Sequence, residues 1–235
     1  MTSARGHFDS VASEYETNRL GRWYIAHGEF IAGRLAGRTF RTVLDIGCGT
    51  GWLLRTLVGR GIAERGIGLD ASPRMVEEAR ARIPASVGAN LQVHFGLWPE
   101  LPRDLAEYLA DEPVDLILCA STLHYFRDVP RALATCYETL EPGGSLLILE
   151  RAPELSLVTR LWGRVHASIL RDGVRFLGTN ELLAALRVAG FDDVGVDAVL
   201  RRFFWEGKMV TSMALSSGRK SDTAASVSSA GQHDS

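Results

Sequence analysis

The chain has 235 residues, 46% of them apolar, with 26 Lys and Arg against 28 Asp and Glu and a formal charge of −2. That is enough chain for one enzyme-sized domain with a full three-layer core, and too little positive charge to hold a polyanion, so nucleic acid is not expected as a partner. No apolar run approaches the ~20 residues of a membrane span, and the start of the chain, with Arg5, His7 and Asp9, lacks the apolar core of a secretory signal.

A helical arm, residues 1–40, leads into the first strand. Val43, Leu44 and Ile46 form an apolar run suited to a parallel strand covered on both faces, and Asp45 interrupts it near its end. Gly47, Gly49 and Gly51 follow at alternate positions, where a backbone without Cβ atoms bends sharply and approaches a ligand closely. Trp52 stands where a dinucleotide fingerprint has its third glycine, so pyrophosphate is disfavoured. A ligand with a cationic amino-acid end tolerates Asp45 better. Alone, the loop is also what an ordinary strand-to-helix turn looks like.

A second strand, Gly66 to Asp70, ends in an acid about 20 residues past the glycines, the spacing at which a carboxylate reaches ribose hydroxyls. Ser72 and Pro73 read as the N-cap and first turn of a helix carrying Met75, Val76 and Ala79 on one side. Met75 lines an adenine slot or fills core. A third strand spans Leu91 to Phe95, and a fourth begins at Asp115 and gives way to a loop through Ser121, Thr122 and His124, at the end where open α/β sheets bind ligands. Leu140 closes a helix, Pro142-Gly143-Gly144 forms a tight turn, and a fifth strand runs to Glu150.

Beyond it, a helical insert, about 154–172, carries Leu157, Leu161, Val165 and Ile169 at every fourth position. It covers the site as a lid or caps the sheet edge. A helix from Thr179 to about Ala189 ends at Gly190, and two strands, Phe191 to Leu200 and Arg202 to Leu215, are close enough in sequence to pair antiparallel. The core domain is thus 41–215. Residues 216–235 are mostly Ser, Ala, Gly and polar, the composition of a disordered tail.

The acid and glycine turn, the second acid at Asp70 and the two later strand blocks resemble, in order and spacing, the class I S-adenosylmethionine (SAM)-dependent methyltransferases. The match is to their small-molecule branch, which includes the quinone-biosynthesis enzymes. The opening Phe8-Asp9-Ser10-Val11-Ala12-Ser13-Glu14-Tyr15-Glu16 is similar to that branch's N-terminal signature, so the resemblance covers roughly residues 8 to 215. It implies an α/β fold, a doubly wound, mostly parallel seven-stranded sheet with an antiparallel C-terminal hairpin and helical lid elements. It also implies SAM as cofactor, with S-adenosylhomocysteine (SAH) as its product. Asp45, Gly47, Cys48, Gly49 and Gly51 would hold the cofactor at the turn, Asp70, Ala71 and Met75 after the second strand, and Tyr15 and Ala120 from the arm and the fourth strand. The family commonly places an acid after the third strand to accept from the adenine amino group. Here Gly96-Leu97-Trp98 stands instead, so adenine would rest on backbone groups and apolar contact with Leu97 and Trp98.

Methyl transfer from a sulfonium is chiefly a positioning problem. Holding the nucleophile at attack distance contributes roughly 7 to 11 kcal/mol, whereas a general base adds about 10² to 10⁴-fold, so a base is optional. His124 is the candidate base, beside the alternative that it hydrogen-bonds locally and shapes the pocket. His27 on the arm and His166 on the insert are weaker candidate bases. Tyr15 touches the methionyl end, closes the acceptor pocket, or packs as a helix aromatic. Arg19 and Arg22 meet the SAM carboxylate or stay solvated.

Cys119-Ala120-Ser121-Thr122 lacks the Asn-Pro-Pro-aromatic run of base- and amide-modifying relatives, which leaves a small apolar or aromatic metabolite, methylated on O, C or N. Trp23, Tyr24, Phe30, Tyr125, Phe126 and Trp162 are available to line its pocket. Two alternatives stand beside methyl transfer: a cyclase or pericyclase that uses SAM only as a structural cation, and a nucleoside-binding domain that regulates a partner. Cys48, Cys119 and Cys136 have neither metal-ligand spacing nor a disulfide framework. A cytoplasmic, metal-independent monomer or homodimer is expected.

Overall fold

The computed structural model describes residues 4–152, 154, 176–200, 204–205, 208–209 and 212–222. Two arm helices, α1 (Ala4–Val11) and α2 (Arg19–Leu35), precede β1 (Phe40–Ile46), α3 (Trp52–Gly59), β2 (Ala63–Asp70) and α4 (Pro73–Ala81). Next come β3 (Leu91–Phe95), α5 (Arg103–Asp111), β4 (Val114–Ala120), α6 (Val129–Thr139) and β5 (Leu140–Arg151). The chain finishes with α7 (Thr179–Val188), β6 (Asp192–Leu200), the short pair β7 (Phe204–Trp205) and β8 (Lys208–Met209), and β9 (Met213–Arg219).

The main sheet has seven strands in the order β3-β2-β1-β4-β5-β9-β6. β1 pairs in parallel with both β2 and β4, so the chain winds outward one way, returns, and winds the other. The crevice at the carboxyl ends of β1 and β4 is the point where this order reverses. β9 runs antiparallel between β5 and β6, which gives the C-terminal antiparallel pair.

Burial on both faces explains the apolar runs. Val43, Leu116, Leu118, Leu147 and Leu149 point to one layer with Leu53, Leu54 and Leu57 of α3. Their neighbours Leu44, Ile117, Cys119, Leu146 and Ile148 point to the other, against Leu105 of α5, Leu133 of α6 and Leu186 of α7. Successive strand residues face opposite ways, so a central strand covered on both sides has few positions for a polar residue. Each such side chain contributes about 1.5 to 3 kcal/mol by leaving water.

Three expectations change. The Pro142-Gly143-Gly144 segment lies within β5, where Val114 pairs with Leu140 but Leu116 pairs with Ser145, and the extra residues leave the ladder as a bulge with Gly143 at φ +80°. The last sheet strand is Met213–Arg219 rather than a strand ending at Leu215, with the β7–β8 pair ahead of it. The segment assigned to a tail therefore begins inside the sheet: Ser216 pairs with Ile148 on one side and Val196 on the other. Pairing on both edges outweighs weak strand composition. The insert's apolar stripe, with His166 and Trp162, lies outside the described residues, as do 223–235.

Candidate active site

β1 delivers Asp45 and the glycine turn to the crevice. Gly47, Gly49 and Gly51 all adopt positive φ, at 77°, 55° and 73°. The need is sharpest at Gly47, where a Cβ would stand 2.3 Å from the Thr122 hydroxyl oxygen, so neither the backbone angle nor the space admits another residue. Gly51 then caps α3, whose first residue is Trp52.

Asp70, at the end of β2, is tied to that turn: one carboxylate oxygen accepts from the Gly49 amide at 2.8 Å and the other from the Ser72 amide at 2.8 Å. Burial pushes its pKa up and these amides pull it down, with the net above the ordinary carboxylate value. Asp45 is buried and is raised to about 7, first by burial and then by the charge of Asp70. A cation arriving between these acids would be met by carboxylates otherwise kept from water.

The arm closes over this turn through contacts that the sequence did not announce. Glu16 accepts from the Thr50 hydroxyl and from Arg55, both at 2.7 Å, while Asp9 accepts from the Ser72 hydroxyl at 2.6 Å. Ser72 caps α4 as expected, accepting from the Met75 amide. Tyr15 stacks on Tyr24 of α2 with ring centres 5.8 Å apart, and burial raises its pKa. Tyr15, Asp45, Gly47, Cys48, Gly49 and Ala120 all line one cavity of about 70 Å³, with Tyr24, His27 and Trp52 on its walls.

The remaining candidates divide. The Ala71 amide adds to the groups that stabilise the Asp70 carboxylate. Met75 is fully buried, and Leu97 is 57% exposed. Trp98 is buried in the layer of α5 and α6, where its indole N–H donates to the Ala132 carbonyl at 2.9 Å, so it packs as a core residue. Exposed Phe95 has the Arg5 guanidinium 5.2 Å from its ring centre. The Arg19 side chain is outside the described residues.

His124 follows β4 in a short 3₁₀ turn, Leu123–Tyr125, and is buried. Glu150, near the end of β5, accepts from the His124 backbone amide at 3.3 Å and pairs with its Nδ1 at 2.9 Å. Burial alone would raise the Glu150 pKa, but the charge and hydrogen bond of His124 carry it below the usual value. The carboxylate is therefore ionised and accepts only, which places a ring proton on Nδ1; in the neutral imidazole the lone pair is then on Nε2. Nε2 is buried and, among the described residues, has no hydrogen-bond partner. The ring lies 4.1 Å from that of Tyr125 and 4.6 Å from that of Phe176. Ser121 adopts φ 56°, which is uncommon for a residue with a side chain, and its hydroxyl lies 3.2 Å from His27 Nδ1.

A family model described as a methyltransferase domain matches residues 19–196. Among curated proteins, the demethylmenaquinone methyltransferase of Symbiobacterium thermophilum is 31% identical over 65% of this chain and 61% of its own. The ubiquinone biosynthesis O-methyltransferase of Pseudomonas putida is 29% identical over 67% of this chain and 66% of its own. The chain thus spans just under two thirds of the length of these relatives. A solved SAM-dependent methyltransferase from Thermotoga maritima superposes with a TM-score of 0.66 at 27% identity, over 91% of this chain and 98% of that one. With the switch-point crevice, the glycine turn and its two acids in place, the chain belongs to the methyltransferase domain family.

Proposed function

We propose that the protein is a SAM-dependent methyltransferase of small molecules, acting on oxygen, carbon or nitrogen of an aromatic or apolar metabolite. The observation that carries this reading is the Asp70 carboxylate held by the Gly49 and Ser72 amides at the edge of the switch-point crevice. A carboxylate fixed there suits the two hydroxyls of a nucleoside ribose, and Asp45 suits the cationic end of the same ligand. When bound, SAM supplies an electrophilic methyl on a sulfonium whose leaving group is neutral.

The chain's own residues do the rest. The glycine turn lets backbone approach the cofactor, and the Glu16–Arg55 pair holds the arm against that turn. Tyr15 and Tyr24 stack on one wall of this cavity, and Tyr24 also meets the Trp23 and His27 rings. His124, with its tautomer fixed by Glu150, offers Nε2 to the proton of an acceptor hydroxyl. Two relatives named for quinone methylation favour an oxygen or ring-carbon acceptor. None of the three relatives is named for a rearrangement, so nothing among them favours the cyclase alternative. Three free, buried thiols suit a reducing, cytoplasmic setting.

Incubation with methyl-labelled SAM and a set of catechols, hydroxyquinols and hydroxybenzoates tests the reading. Label is expected in the organic product, in amount equal to the SAH formed. An altered acceptor without label would contradict methyl transfer.

A further inference from the structure

Beside the His124–Glu150 pair stands a cation that methyl transfer does not require. Arg151 is the last residue of β5, at the ligand end of the sheet, and its guanidinium lies over two rings, 5.7 Å from the centre of Trp23 and 4.9 Å from that of Phe176. The residue is half-buried, yet its Nη1 is shut away from water and, among the described residues, has no hydrogen-bond partner. The indole Nε1 of Trp23, the ring beneath it, is also buried and unpartnered.

Ring contacts offset part of the cost of burying a guanidinium, but they accept no N–H hydrogen bond of ordinary strength. The one acid next to Arg151 in sequence is already used. Glu150 Oε2 is taken by His124, and its Oε1 accepts the backbone amide of Arg151. Among the described residues no ion pair joins the Arg151 guanidinium to a carboxylate. His27, on the same face of α2, is held neutral by burial and by the Arg151 charge, with its pKa near 3, so it adds no second cation. Among the described residues, one side of this aromatic cluster thus holds two donors without acceptors, and Nε2 of the neutral His124 ring is an acceptor without a donor.

We propose that Arg151 and Trp23 form a carboxylate-binding subsite, so that the methyl acceptor is a hydroxyl-bearing carboxylic acid. The carboxylate accepts from the guanidinium and the indole N–H, the carbon skeleton packs among Tyr24, Tyr125 and Phe176, and the hydroxyl donates to His124 Nε2. A planar carboxylate matches the fork of an arginine, and a neutral isostere would leave the cation unpaired. That unpaired cation is what makes the subsite selective.

The inference rests on the methyltransferase reading, and the test separates the two. SAH is first titrated into wild type, Arg151→Met and Trp23→Phe, and then 3,4-dihydroxybenzoate or 3,4-dihydroxybenzamide is titrated into each SAH-saturated protein. All three proteins should bind SAH within about twofold of one another. Wild type should bind the acid about tenfold or more tighter than the amide, Arg151→Met should lose that preference, and Trp23→Phe should weaken the acid by about threefold to tenfold while leaving the amide unchanged. Equal binding of acid and amide by wild type, or binding of neither, overturns the subsite while SAH binding leaves the methyltransferase reading intact. A loss of SAH affinity of about tenfold or more in Arg151→Met also overturns it, because Arg151 would then serve the methionyl carboxylate. Absence of SAH binding by wild type counts against the underlying reading.

Discussion

Buried groups with opposite shifts shape the pH behaviour of this protein: Asp45 and Asp70 are raised, Glu150 and His27 lowered. Asp45 titrates near 7 in the fold against about 3.9 unfolded, so between those values the native state holds a proton that the unfolded chain lacks. Stability from that group therefore falls as pH rises from about 4 to 7. Buried His27, held near 3 in the fold, works in the opposite direction below its unfolded value, so the Asp45 contribution is read as a difference: from pH 6 to pH 8 the melting temperature of the ligand-free wild type should fall by about 2 to 4 °C relative to that of Asp45→Asn. Glu150 acts with the other sign: its pKa is depressed, so the stability it adds is present above the ordinary carboxylate range and is lost as pH falls through its lowered value. Replacing it tests its second role. Glu150→Gln removes the charge that fixes the His124 tautomer, and kcat should fall about tenfold to hundredfold while SAH affinity measured by calorimetry stays the same.

At the next level up, the glycine turn is defined by what lies against it. Gly47→Ala would set a Cβ against Thr122 in a left-handed backbone, costing about 1 to 3 kcal/mol in denaturant melts and weakening SAH. The turn, β1, β2 and Asp70 were readable in the sequence because their chemistry is local: apolar runs buried on both faces, then glycines, then an acid at fixed spacing. The pairing of His124 with Glu150 was not, since its members are 26 residues apart and meet only when β4 and β5 lie side by side. The Glu16 clamp and the Arg151–Trp23 contact escaped for the same reason. Trp98 was misread by its neighbourhood: it follows exposed Leu97, yet its side chain goes to the opposite layer, where Ala132 accepts its N–H. The Pro-Gly-Gly segment has turn chemistry and does bend, but β4 holds both of its ends in the sheet.

For the molecule as a whole, the informative disagreement is β9. Ser216, Ser217 and Gly218 look like the start of a tail, but Ser216 and Ser217 supply ladder partners to both β5 and β6, and Gly218 pairs with β5. Ser216→Pro, which removes a donor at a fully buried position, should lower stability by at least about 2 kcal/mol in urea melts. That sheet holds β1 and β4 in place, and with them the crevice in which a cofactor would lie. Calorimetric titration of SAH into wild type and Asp70→Ala tests this arrangement most directly. Wild type should give saturable heat with a Kd of about 1 μM, and the folded variant should bind about hundredfold or more weakly. No heat from wild type, or equal binding by both proteins, would contradict the assignment of Asp70 to the ribose.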